Sequence, residues 1–141
     1  MSISEYLSPL IGRLVFVWFF LTQVKHYGGD WGATVSLMNF SGIPAAGFLL
    51  LVALMLIILG CLSLLFGFHT RHGAVLLFGV TIVATVLMHD FWRINDNASA
   101  RAADFELFAR NVAIAGGLLL LVGMGPGPVA FDNRLGGKRK K

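Results

Sequence analysis

The chain has 141 residues, 57% of them hydrophobic and only 13% charged, with a mean hydropathy of +0.79. Those values exclude an ordinary water-soluble domain and place the chain among integral membrane proteins. The net charge of +4 does not argue for a nucleic-acid partner, because Arg134, Lys138, Arg139, Lys140 and Lys141 crowd the last eight positions. A basic tail behind an apolar segment reads as a topology signal and suits anionic lipid headgroups.

In chain order, the first apolar segment covers residues 7–25, is rich in aromatics (Phe16, Trp18, Phe19, Phe20) and is interrupted by Arg13. It lacks a basic region before it and a small-x-small site after it, so it reads as a retained span and not a cleaved signal. Arg13 is expected to snorkel or to pair with Asp132. Glycines between His26 and Ile43 argue against one continuous helix. Trp31, Leu37, Met38 and Phe40 still make that segment apolar enough for a short interfacial or re-entrant piece.

No formal charge occurs between Asp30 and Arg71, and the second span is placed at 44–68 with Pro44 in its first turn. At about 1.5 Å per residue such a helix is roughly 35 Å long, enough to cross the hydrocarbon of a bilayer. Cys61, the single cysteine, lies inside it, so no disulfide or Cys-x-x-Cys pair forms within one chain. A very short link leads to the third span, 73–92, which makes the two antiparallel neighbours. The stretch Arg93–Asp104 reads as an exposed polar loop, and the fourth span, 105–123, ends at Gly-Met-Gly-Pro-Gly-Pro, which cannot continue a helix. His69 and His72 flank Arg71 in the tight turn and are expected to face headgroups. Asn39-Phe40-Ser41 and Asn97-Ala98-Ser99 match the glycosylation pattern, a match that arises often by chance.

The expected fold is therefore all-α: an integral membrane four-helix bundle, up-down-up-down, in a single domain over 1–135 with a basic tail at 136–141. Four spans put both termini on one side. That side carries Arg71 and five tail residues against Lys25, Arg93 and Arg101 opposite, so both termini are expected in the cytoplasm of a multi-pass inner-membrane protein. Small residues at heptad spacing (Ala46, Ala53, Gly60, Gly67) offer one close-packing face. Ala109, Ala113 and Gly117 offer another, and either face would also serve a homo-oligomer.

Polar residues in a bilayer are costly, so each asks for a reason. Thr81, Thr85 and His89 recur every four residues and form one stripe. At the same outer level lie Gln23 and His26 on the first span, Asp90 beside His89, and Arg110 and Asn111 on the fourth. One reading makes these interfacial groups and interhelical hydrogen bonds. A second is a pocket for a quinone headgroup, with His89 and Asp90 as catalytic residues and Gln23, His26, His89, Arg110 and Asn111 as binding residues. A histidine can donate to a carbonyl and move a proton, with a carboxylate as relay. Metal ligation by His26, His89 and Asp30 is the third, but no tight ligand spacing supports it.

The order of short motifs resembles the DoxX family of small bacterial membrane proteins, which is grouped with the eukaryotic surfeit-type cargo receptors. The matching pieces are Gly12-Arg13, Lys25, Gly42-Ile43-Pro44, Gly67-Phe68-His69-Thr70-Arg71, His89-Asp90-Phe91, Asn111 to Leu119, and Ala130-Phe131-Asp132. The resemblance implies a redox-associated subunit at the quinone pool, since some DoxX relatives resemble subunits of a thiosulfate:quinone oxidoreductase. With one cysteine and no haem motif, electrons would come from a partner subunit. The family's frequent carboxylate in the second span is absent here, where Ile57-Ile58-Leu59-Gly60-Cys61 is uncharged. The alternative is a non-enzymatic adaptor or small transporter that recognises a partner or solute through its outer face.

Overall fold

A computed structural model describes residues 2–136. It is all-helical over these residues, and four of its helices are long and apolar enough to cross a membrane. These are α1 (Ile3–Gly29), α3 (Ala46–Phe66), α4 (Thr70–Met88) and α5 (Ala98–Met124). The short α2 (Trp31–Phe40) and α6 (Phe131–Gly136) complete the set, with a 3-10 turn at Phe91–Arg93. The basic run Lys138–Lys141 lies outside the described residues.

Helix α3 packs between α1 and α4, and α4 packs on α5. The bundle closes where the Phe16 ring of α1 lies on Gly117 of α5, and where the Arg110 guanidinium sits 5.6 Å above the Phe19 ring. Its core is Val17, Phe20, Ile57, Cys61, Leu64, Ala74, Leu77 and Leu118. Large apolar side chains such as Trp18, Phe48, Leu59, Val83 and Leu120 point outward along the spans. In water so extensive an apolar surface would drive aggregation; facing lipid it is the natural exterior.

Small residues set the approach of α3 and α4. Leu77 lies directly on Gly60, and Ser63 directly on Gly73, so a side chain on either glycine would collide. The helices join through a turn in which Gly67 (φ 65°) and His69 (φ 50°) are both left-handed. The Ser63 hydroxyl donates to the carbonyls of Phe68 (2.7 Å) and His69 (3.1 Å). Asp132 then reaches in from α6. Its carboxylate accepts from the His69 N–H (2.6 Å) and the Thr70 N–H (2.9 Å), while its own N–H donates to Gly67 O (2.9 Å). The chain's C-terminal segment thus caps α4, supplying an anion where the helix dipole is positive.

Several boundaries differ from the sequence reading. Helix α1 runs four residues further at each end than 7–25. Pro44 does not occupy the first turn of α3, because Ala45 takes a left-handed conformation (φ 50°) and the helix starts at Ala46. Helix α5 begins at Ala98, where the Asn97 side chain accepts from the N–H groups of Ser99 and Ala100 (both 3.1 Å). Most of the expected 93–104 loop is therefore helix. Ala109 and Ala113 are exposed, and α5 buries Ala115 and Leu118 instead. Each four-residue step drifts about 40° round a helix, so Ala109 lies about 80° from Gly117.

Arg13 does not snorkel: it is 2% exposed and donates to Val129 O, with Nε and Nη1 unpartnered. Asp132 influences it through space, its oxygens being committed to α4. Helix α2 is held against the end of α1 by Thr34, whose hydroxyl donates to Tyr27 O (3.0 Å) and Asp30 O (2.9 Å). Its other face, with Leu37 and Phe40, is exposed, as an interfacial helix requires.

Candidate functional site

A cavity of about 470 Å³ lies between the helices in the half of the bundle away from the termini. Its walls are mainly apolar, from Phe19, Phe20, Leu54 and Ile57 to Val80 and Met88. The polar groups are few: Gln23 and Tyr27 from α1, Thr34 from α2, Thr81 and His89 from α4, and Asn111 from α5. An apolar chamber with a few convergent polar groups is the general form of a small-molecule site.

His89 follows the last turn of α4, its N–H donating to Thr85 O (3.0 Å). Its Nδ1 lies 2.8 Å from Asp104 Oδ1 of α5, and both side chains are largely buried, at 12% and 18% exposure. The carboxylate holds the ring by its Nδ1 edge and leaves Nε2 as the nitrogen without a partner among the described residues. Asp104 Oδ2 is buried and accepts no hydrogen bond. Thr85 turns its hydroxyl back to Thr81 O (2.6 Å), but the Thr81 hydroxyl, on a residue 7% exposed, has no partner. A buried hydroxyl without a partner is costly, and Thr81 is one of the residues that line the cavity.

Of the residues singled out in the sequence, Gln23, His89 and Asn111 come together on the wall of this cavity. Three do not. His26 is exposed and packs edge-on against Tyr27, because the inward stripe of α1 runs Phe20, Gln23, Tyr27. Asp90 lies off the cavity and faces Arg93 at 3.6 Å across the 3-10 turn. Arg110 is exposed over Phe19. No group of three potential metal ligands gathers among the described residues.

The sequence reading missed Asp104, Thr34 and Tyr27. Asp104 was legible in principle: Asn97-Ala98-Ser99 is a helix N-cap, and starting α5 there places Asp104 and Asn111 seven residues apart on one face. Tyr27 lies four residues beyond Gln23 on the same face of α1. Nothing local announces Thr34, which enters only because α2 folds back on α1.

Residues 6–140 match the model of the SURF4 family. The chain is 31% identical over 138 residues to inner membrane protein YqjF of Escherichia coli strain K12, covering 95% of this chain and 96% of that one. Inner membrane protein YphA of the same organism is 30% identical over 121 residues, 86% of this chain and 82% of the relative. The surfeit locus protein 4 homolog of Schizosaccharomyces pombe is 26% identical over 125 residues, 89% of this chain but 36% of that longer protein. No solved structure matches. The short motifs resemble the group that joins DoxX with the surfeit-type proteins, and the comparisons show its surfeit-type side: the chain, four apolar helices with a polar-ended cavity between them, belongs to the SURF4 family.

Proposed function

We propose that this protein is a multi-pass inner-membrane subunit, DoxX-like in role, that holds a quinone headgroup at the polar end of its cavity as an accessory of a membrane oxidoreductase complex. The observation that carries this reading is the His89–Asp104 pair, 2.8 Å apart on α4 and α5, at the wall of an otherwise apolar chamber. The names of the two bacterial relatives support the inner membrane. The excess of basic residues around Arg71 and the tail supports cytoplasmic termini.

The donor set fits such a group. With Nδ1–H given to Asp104, His89 Nε2 accepts from a quinol hydroxyl, or donates to a quinone carbonyl once protonated, with the amides of Gln23 and Asn111 on the same wall. The Thr81 hydroxyl lies eight residues away, about 12 Å along the helix at 1.5 Å per residue. A bound quinone would supply two-electron redox chemistry coupled to protons. The chain's own part is to exchange a proton at His89 Nε2 while Asp104 steadies the ring and the imidazolium. Asp104 replaces Asp90 in that role. Cys61 is buried in the core and takes no part, so the electrons pass to or from a partner subunit.

The test is quinone per chain in protein purified with a mild detergent, for wild type and His89→Ala. We expect near-stoichiometric quinone in the wild type and at least a tenfold loss in the variant. Background quinone in both would refute the reading and favour an adaptor or transporter.

A further inference from the structure

The cavity's walls differ in exposure from one helix to the next. The lining residues of α1, α2 and α5 are buried or half-buried wherever they meet it: Phe20, Gln23, Tyr27, Thr34, Met38 and Asn111. The exposed lining residues all belong to α3 (Leu49, Val52) and α4 (Val75, Gly79, Val83, Ala84, Leu87). The mouth is therefore between α3 and α4, on a surface whose other residues are lipid-facing.

The packing of these two helices explains the mouth. They are held at van der Waals contact near their connecting turn by Ser63 on Gly73 and Leu77 on Gly60. Half a turn beyond Leu77 comes Gly79, where an added Cβ would touch nothing within 4 Å. Beyond that contact the exposed Val75, Gly79 and Val83 of α4 line the cavity, and at Gly79 no side chain stands at its edge. Size points the same way. About 470 Å³ lies within the ~300–1,000 Å³ of small-molecule pockets, room for a headgroup but not for a long isoprenoid tail as well.

Resting on the headgroup reading above, we propose that the ligand is a single-tailed, lipid-borne amphiphile that enters sideways from the bilayer between α3 and α4, with Gly79 as the threshold its tail crosses. Its polar end runs inward past the unpartnered Thr81 hydroxyl to His89, and its tail stays in the cleft lined by Val52, Val75 and Val83. This differs from a site filled from water at the outer end, for which neither the lateral mouth nor Gly79 would matter.

The experiment uses the full chain reconstituted in phospholipid vesicles. A long-chain isoprenoid quinone is supplied within the bilayer, a tailless water-soluble benzoquinone from outside, and bound ligand is measured after rapid re-isolation. Wild type is compared with Gly79→Phe, Val83→Trp and, as a control, Val86→Phe, which alters an exposed residue of α4 that does not line the cavity. The expected result is at least a tenfold slower loading of the long-chain quinone in Gly79→Phe and Val83→Trp. The tailless quinone should bind normally, and Val86→Phe should behave as wild type. Helical content and thermal melting identify a variant that has failed to fold, and the two threshold variants check one another. Unchanged long-chain loading in both would overturn the lateral route, as would equal loss of both quinones in folded protein. If wild type binds neither quinone, the headgroup reading itself fails. Should a phospholipid co-purify instead and be lost from Gly79→Phe, the headgroup reading and the single-tailed ligand are overturned and only the lateral route is kept.

Discussion

Removing the Asp132 carboxylate is the sharpest test of how the C-terminal segment holds the bundle. In Asp132→Ala the N–H groups of His69 and Thr70, now bonded at 2.6 and 2.9 Å, lose an ionised acceptor. Hydrogen bonds to a charged group contribute about 1.5–3 kcal/mol each in protected settings, and loss of a helix N-cap about 0.5–2 kcal/mol. Asp132 is partly exposed, so water recovers some of this, and we expect a net loss of about 2 kcal/mol. Buried Arg13 loses its nearby counter-charge in the same step. The effect carries a pH signature. Burial alone would raise the Asp132 carboxyl, but the Thr70 and His69 N–H groups outweigh it and hold the carboxyl below its ordinary value of 3.8. A carboxylate depressed in the folded state stabilises fully above its unfolded pKa. That contribution fades as pH falls below about 4 towards the folded value. Denaturant titrations in detergent, for wild type, Asp132→Asn and Asp132→Ala between pH 3 and 7, check this. The alanine variant should be least stable and should lack the wild-type loss of stability below about pH 4. Equal stability of all three at pH 7, with identical acid profiles, would refute the capping argument.

Four further substitutions, at three positions, probe packing and the site. Gly60→Val pushes a side chain into Leu77 and should cost about 1–3 kcal/mol by the same titration, whereas Gly79→Ala, in open space, should cost nothing. Asp104→Ala frees the His89 ring, and at about 1.5 kcal/mol or more for one hydrogen bond to a charged group, quinone retention should fall about tenfold. Asp104→Asn, which keeps an acceptor for Nδ1–H, should fall between. Quinone per chain after purification reads both.

Composition and spacing along the chain were enough for the helices and for which of them lie side by side. A run without charge from Trp31 to Thr70 has to be buried in lipid or protein, and a turn as short as Gly67–His69 leaves α3 and α4 no choice but to lie side by side. The stripe of Thr81, Thr85 and His89 was also legible, because residues four apart follow one another about 40° round a helix whatever surrounds it. What that stripe meets was a different matter. Asp90 is next to His89 in the chain, yet adjacent residues on a helix or tight turn point apart, and the carboxylate that reaches the ring is Asp104, on another helix. Gln23 and Tyr27 face inward while His26 faces out, a choice made by how α1 is rotated against α3 and not by its composition. Arg13 was visible as an anomaly, but its acceptor at Val129 exists only because the Gly-Pro segment turns back beneath the bundle. Local periodicity is written in the order of residues. Rotation of each helix about its axis, and the cavity lined by α3 and α4, arise from contacts between side chains far apart in the chain, which no local pattern records.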